Sequence, residues 1–211
     1  EIRVILDLGT AAIEMFAFLS AAFIAVRMIL QEMEEKTVYL ILSRPVTRPT
    51  YLLGRFFGII SVLASYIIIM GASLTLMLLV KGWEFNSYII LISFTVFLKV
   101  LIITSFAILL SLVSTSSASS FVSIFFLWAL GHFVGELKYL NHLLKEAGIF
   151  ITPLIKFIYY IVPNFNFINY KDTFHVAETG FSAYFYPAGY ALFYSAVVIT
   201  LSIIIFNKKE L

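Results

Sequence analysis

The chain has 211 residues, of which 62% are hydrophobic and 12% are charged, and its formal net charge is +2. A soluble globular domain is about half apolar and about a quarter charged, so this chain has too few charges to cover a water-facing surface. The small net charge argues against nucleic acid as a partner. The absence of cysteine excludes disulfides and thiolate metal sites.

Five apolar runs along the chain are long enough to cross a bilayer. In chain order they cover residues 8–30, 56–80, 88–113, 121–134 and 188–206. The fourth is the shortest, because Gly131 and Gly135 interrupt it and Glu136 follows. Only a helix satisfies every backbone group within lipid. The sequence therefore predicts an all-α integral membrane protein, a polytopic bundle of five spans, and a single transmembrane domain over residues 1–211.

The distribution of lysine and arginine predicts the orientation of the spans. Loop 31–55, the serine-rich turn 114–120 and the C-terminal tail fall on one side, whose short segments carry Lys36, Arg44, Arg48, Arg55, Lys208 and Lys209. On the other side, most basic residues lie in the long loop 136–187, which constrains topology less. We expect loop 31–55 and the C-terminus to be cytoplasmic in a multi-pass protein of the cell (inner or plasma) membrane. Glu1 then lies outside, and because a helix that starts outside normally follows a span that brings the chain out, we expect one more span before it.

The long outer loop 136–187 has helical signals of its own. Leucines recur at helical spacing between residues 137 and 147, and Thr152-Pro153 is a typical start for a second helix, over residues 153–162. The loop is rich in aromatic residues, among them Phe165, which are suited to the bilayer interface. We expect interfacial helices lying against the outer leaflet.

Loop 31–55 predicts a short amphipathic helix over residues 34–42. Glu34 and Glu35 favour a helix N-terminus. Val38, Ile41 and Leu42 form an apolar stripe at helical spacing. Prolines at positions 45 and 49 then turn the chain into a basic elbow that carries Arg44 and Arg48. Such a helix can lie on the inner leaflet or dock into a groove of a cytosolic partner.

The same loop contains three stretches with a family likeness: Glu35-Lys36-Thr37, Leu42-Ser43-Arg44-Pro45-Val46-Thr47-Arg48 and Leu53-Gly54-Arg55. They resemble the first cytoplasmic loop of type-2 ABC transporter permeases, although Arg55 stands where a lysine is common. Weaker similarities lie in Asp7-Leu8-Gly9, in residues 163–169 and in the basic end 206–211. The resemblance implies that the first of the family's six spans is absent from this chain.

The resemblance implies a permease subunit of an ATP-driven transporter, tending towards export. Such permeases pair with a second copy or a homologous permease, each binds a cytosolic ABC ATPase, and substrate crosses between the two halves within membrane lipid. Helix 34–42 would be the coupling helix. The residues implied to couple to the ATPase are Glu34, Glu35, Thr37, Val38, Ile41, Leu42, Arg44 and Arg48.

The sequence contains no Gly-x-x-x-x-Gly-Lys-Ser/Thr motif, so it carries no nucleotide site of that type. We therefore expect no catalytic residue and no cofactor in this chain, with ATP and Mg bound by the partner ATPase. One alternative is a non-transporting scaffold that recruits a cytosolic ATPase or another partner through helix 34–42. A membrane-embedded enzyme is a third possibility, but an acid/base cluster to support it is missing from the sequence pattern.

Two charged residues, Glu14 and Lys99, fall inside apolar spans, where a charge is costly and marks a functional hypothesis. We predict that they pair with each other or face the translocation pathway; the alternative is that each reaches the headgroups or makes a structural contact. His132, His142 and His175 lack the spacing of metal ligands, so we expect no metal site. Gly54 and Gly58 could mark a close helix contact, or their spacing could be chance.

Overall fold

The computed structural model describes residues 2–43, 46–83, 88–135, 159, 161–169 and 182–209. Within these ranges the chain forms helices and no strand: α1 (Ile2–Glu34), α2 (Thr37–Leu42), α3 (Arg48–Val80), α4 (Tyr88–Val113), α5 (Ser117–Phe133), a short 3-10 helix (Phe165–Ile168) and α6 (Ser182–Lys208). Four of these helices, α1, α3, α4 and α6, are long and apolar enough to cross a membrane, and α5 is a shorter apolar helix. The predicted membrane helix bundle is confirmed.

The α4 helix lies at the centre of the bundle and packs against α1, α3, α5 and α6. Apart from Lys99 and several hydroxyl residues, its sequence is apolar on every face, as expected for a helix that is surrounded by others. Its buried hydroxyl groups donate to carbonyls one turn earlier, as Thr104 does to Val100 O at 2.8 Å and Ser111 to Ala107 O at 2.6 Å. Polar atoms in the centre are thereby satisfied within their own helix.

The outer faces of α3 and α6 expose large apolar side chains. Examples on these two helices are Phe57, Ile68, Ile69, Leu76, Leu192 and Phe193. In water such a surface would be unfavourable, whereas in a bilayer it is the surface that contacts lipid. The glycines proposed as a helix contact, Gly54 and Gly58, lie on α3, and a Cβ added at either would meet nothing within 4 Å. They therefore mediate no close packing within the described part of this chain.

The helices on both sides of the 31–55 loop are longer than predicted. The α1 helix continues to Glu34 and ends where Lys36 adopts a φ of +57°, so Glu34 and Glu35 close α1 and do not open α2. The α3 helix begins at Arg48, eight residues before the predicted start at residue 56. Thr47 caps its N-terminus and Pro49 lies in its first turn, where a backbone N–H has no intrahelical partner to lose. The prediction that Pro49 lies in a non-helical elbow was therefore wrong.

The α5 and α6 helices also begin earlier than predicted. The serine-rich turn supplies the first turn of α5, which starts at Ser117 and not at residue 121. The α6 helix starts at Ser182, includes Pro187 and reaches Lys208, whereas the apolar run covers only residues 188–206. An apolar run marks the part of a helix that lies within the membrane, and it does not include the polar turns at the helix ends.

One end of the bundle contains residues 35–43, 46–47, 114–116 and 209, and we call it the loop end. The Arg48 side chain reaches the C-terminus of α6, and Lys209 Nζ donates to Leu112 O of α4 at 2.8 Å. Partial burial lowers the pKa of this lysine from its ordinary value. The loop end thus contains the connections α1–α2, α2–α3 and α4–α5.

Segment 161–169 packs into the bundle at the opposite end. Phe165 and Ile168 are fully buried, and the backbone N–H of Asn164 donates to the Tyr190 hydroxyl at 2.9 Å. Phe165, predicted to suit the bilayer interface, is buried in the bundle, where its ring packs against Gly131 of α5. The predicted helix 137–147 and most of the predicted helix 153–162 lie outside the described residues.

Candidate functional site

The six-residue helix α2 stands between α1 and α3 at the loop end. Val38, one residue of the predicted apolar stripe, is 1% exposed and packs into the core of this chain. Leu40 is 72% exposed. The α2 helix therefore uses Val38 to hold itself to the bundle and presents Leu40 outward. Leu40 was absent from the predicted coupling residues because it falls off the stripe that periodicity selects.

The other predicted coupling residues occupy different positions around α2. Glu34 is exposed at the end of α1, and Glu35 accepts a hydrogen bond from Gln31 Nε2 at 2.7 Å. Thr37 Oγ1 donates to Glu32 O at 3.2 Å, which joins the start of α2 to α1. Ile41 and Leu42 belong to α2 by their backbone, and nothing further is described of their side chains. Arg44 lies outside the described residues.

Arg48 makes its contacts within this chain. Its Nη1 donates to three carbonyls at the end of α6: Phe206 O at 2.8 Å, Asn207 O at 3.1 Å and Lys209 O at 3.0 Å. The guanidinium carbon also lies 5.7 Å from the centre of the Phe206 ring. A cation at the carbonyl end of a helix is favourable. Arg48, at the start of α3, thus links this helix to the C-terminal end of α6. No local sequence pattern indicates the contact, because Phe206 is 158 residues from Arg48 in the chain.

A second cluster at the loop end joins α1 to α3. The Glu32 carboxylate accepts a hydrogen bond from the Tyr51 hydroxyl and forms an ion pair with Arg55. The Arg55 guanidinium lies over the Tyr51 ring, 5.5 Å from its centre. Beside this cluster and α2 is a groove of about 380 Å³, lined by Met28, Gln31, Glu32, Glu35, Thr37 and Arg55. Glu32 and Tyr51 were not predicted from the sequence, since their pairing depends on how two helices meet.

The charged residues of the apolar spans meet inside the bundle. Lys99 Nζ on α4 lies 2.6 Å from Glu14 Oε1 on α1, and both side chains are buried. His132 on α5 joins them, with Nε2 3.1 Å from the same carboxylate oxygen. The His132 Nδ1 lies 2.9 Å from Trp128 O on its own helix. Three helices therefore converge on the Glu14 carboxylate, which we call the buried charge cluster (Glu14, Lys99 and His132).

Aromatic rings surround the His132 side of this cluster. The His132 ring lies 4.7 Å from the Trp128 ring and 5.3 Å from the Phe165 ring. A Cβ at Gly131 would lie 2.5 Å from the Phe165 ring and 2.9 Å from Pro163 O. Segment 161–169 can therefore pack this closely on α5 only because residue 131 is a glycine. His142 and His175 lie outside the described residues.

Comparison with known families identifies the class of protein. The model of the ABC-2 family transporter proteins matches residues 4–211, nearly the whole chain. No curated protein matches the chain significantly. The match agrees with the helical bundle, the α2 connection between two long spans and the resemblance of loop 31–55. The chain belongs to the ABC-2 family of transporter proteins and is a membrane-spanning permease subunit.

Proposed function

We propose that this permease is driven by a separate cytosolic ABC ATPase and works as an exporter, with α2 as the coupling helix. A second copy or a homologous permease completes the pathway, and substrate crosses between the two halves. ATP and Mg are bound by the ATPase, which fits a permease sequence that has no phosphate-binding loop motif. Membership of the ABC-2 family supports the pairing with an ATPase subunit.

The observation that carries the coupling proposal is the division of α2 into an inner and an outer side. Val38 is 1% exposed, whereas Leu40 on the same helix is 72% exposed. A large apolar side chain presented outside the bundle is suited to a pocket on a protein partner. Burial of Val38 means that a force applied at Leu40 displaces α2 together with the helices it packs on.

The contacts around α2 provide a route for that displacement. Thr37 donates to the carbonyl of Glu32 near the end of α1. The Glu32 side chain holds Tyr51 and Arg55 at the start of α3. Movement of α2 is therefore transmitted to both long helices through hydrogen bonds and an ion pair. Under this proposal, ATPase closure shifts the loop-end halves of α1 and α3 relative to the second permease.

We also propose that the loop end faces the cytoplasm. The bias of lysine and arginine in short segments supports this orientation, since Lys36, Arg55 and Lys208 all lie at this end. An ATPase in the cytosol can reach α2 only in this orientation. Exposed Lys36 and the groove residue Glu35 then contribute salt-sensitive contacts at the rim of the interface.

Co-purification of the permease with a candidate ABC ATPase, such as one encoded by a neighbouring gene, tests this proposal. The informative variant is Leu40→Asp, since it changes an exposed side chain and leaves the core intact. Val113→Asp is the matched control, because Val113 is also exposed (63%) at the loop end but lies on α4. We expect the ATPase to bind the wild type and Val113→Asp and to be lost from Leu40→Asp. Equal binding to all three would overturn the role of α2.

A further inference from the structure

The contacts of His132 in the buried charge cluster do not suit a neutral imidazole beside a carboxylate. The Trp128 carbonyl oxygen can only accept a hydrogen bond, so His132 Nδ1, 2.9 Å away, must carry a hydrogen. A neutral imidazole carries one ring hydrogen, which leaves Nε2 with a lone pair. That lone pair would face the Glu14 carboxylate at 3.1 Å, an arrangement of two acceptors.

An additional proton between Nε2 and Oε1 resolves this conflict. It resides on His132, giving an imidazolium with two donors, or on the Glu14 carboxyl group. Lys99 Nζ lies 2.6 Å from the same oxygen and favours the carboxylate form, which assigns the proton to His132. We propose that His132 is a reversible proton-binding site within the membrane bundle, whose occupancy controls the contact between α5 and α1.

Exposure and chemistry both single out His132 as the member that exchanges the proton. Its side chain is 28% exposed, against 8% for Glu14 and 3% for Lys99. Histidine is also the side chain that ordinarily changes its charge between about pH 5 and about pH 8. The described groups that face His132 are the Glu14 carboxylate on α1, with Lys99 behind it on α4, the Trp128 carbonyl and ring on α5, and the uncharged ring of Phe165.

Loss of the proton removes a polar contact between α5 and α1. The two helices also meet here through apolar contacts, such as the stacked rings of Phe18 and Trp128 at 4.7 Å. Segment 161–169 rests on the same histidine through Phe165. Deprotonation would therefore leave two acceptors opposed and favour separation of α5, together with that segment, from α1.

Solid-state NMR of the permease in nanodiscs can read this proton directly, without any ATPase. Ring-labelled [15N]histidine is incorporated into a chain carrying His142→Gln and His175→Gln, so that His132 gives the one histidine signal. We expect Nε2 to carry a proton at low pH and to lose it as the pH is raised, while Nδ1 keeps its own. In Glu14→Gln the carboxylate that accepts from Nε2 is gone, so the Nε2 signal should respond differently to pH. A His132 that stays in one form at every pH at which the protein remains folded, or that responds identically in Glu14→Gln, would overturn the proposal.

Spin labels on α1 and α5 test the structural consequence. The chain has no cysteine, so Met15→Cys and Phe133→Cys, which replace residues 57% and 66% exposed, introduce unique labelling sites. We expect the distance between the labels to increase as the pH is raised, and to be independent of pH in His132→Gln, whose amide donates permanently to Glu14. A distance that does not change with pH in the otherwise unmodified chain would refute the link between protonation and the α5–α1 contact. Neither readout depends on the proposed coupling through α2.

Discussion

Lys99 Nζ lies 2.6 Å from Glu14 Oε1 although 85 residues separate the two in the chain, so α1 and α4 are joined by an ion pair inside the bundle. A lone charge in an apolar environment is far less favourable than a close pair with a matched geometry. The pair therefore imposes a specific register on the two helices.

Removal of one charge of this pair should be more damaging than removal of both. We expect Glu14→Gln or Lys99→Met alone to lower the free energy of unfolding by up to about 3–5 kcal/mol, because the buried charge that remains loses its nearest counter-charge. The double variant should lose less than the sum of the two. A double-mutant cycle measured by unfolding in detergent checks this, and strictly additive losses would show that the two side chains are not coupled.

Gly131→Ala should disturb the packing of segment 161–169 on α5. A methyl group there would lie 2.5 Å from the Phe165 ring, which is fully buried and cannot move aside freely. Gly58→Ala is the matched control, since a methyl group at Gly58 would meet nothing within 4 Å. We expect faster hydrogen exchange in residues 161–169 of Gly131→Ala, whereas Gly58→Ala should stabilise its helix by up to about 1 kcal/mol. The same response in both variants would contradict the close contact.

Arg48→Ala should loosen the end of α6. The side chain donates to three carbonyls there and stacks on Phe206, and hydrogen bonds from a charged donor contribute about 1.5–3 kcal/mol. Hydrogen exchange over residues 203–209 measures the effect, with exposed Lys208→Ala as the control. If exchange in this stretch were equally slow in Arg48→Ala and wild type, the capping role of Arg48 would be wrong.

Aspartate substitutions on the two sides of α2 should have different consequences. Val38→Asp places a charge in the core and should detach α2 from the bundle, which limited proteolysis around Lys36 would detect. Leu40→Asp changes an exposed position and should leave proteolysis and thermal stability close to those of the wild type. Equal sensitivity of both variants would mean that α2 is not held through Val38.

The sequence predicts the helical bundle well, because an apolar run long enough to cross a bilayer forms few structures other than a helix. The third run, residues 88–113, coincides with α4, which is apolar around most of its surface and has no long polar turn at either end. The start of α3 was missed because Arg48 and Tyr51 are polar residues that belong to the helix through their contacts with α6 and α1. A hydrophobicity pattern contains no information on such contacts.

Among the candidate site residues, some could be predicted from the sequence alone and others depend on contacts between distant helices. The rarity of charge within lipid singles out Glu14 and Lys99 from sequence alone, and the structure brings the two together. His132 was considered only as a metal ligand, because its partner lies 118 residues away on another helix. Helical periodicity selected Val38 as part of a docking face, but an apolar stripe can equally face its own bundle, and the burial of Val38 shows that it does.

The most direct test of the proposed coupling is the ATP turnover of the candidate ATPase reconstituted in nanodiscs with the wild-type permease, Leu40→Asp or Val113→Asp. We predict that the wild type and Val113→Asp change the turnover of the ATPase equally, and that Leu40→Asp leaves it at the value of the ATPase without permease. A folded Leu40→Asp permease that affects turnover as strongly as the wild type would contradict coupling through α2.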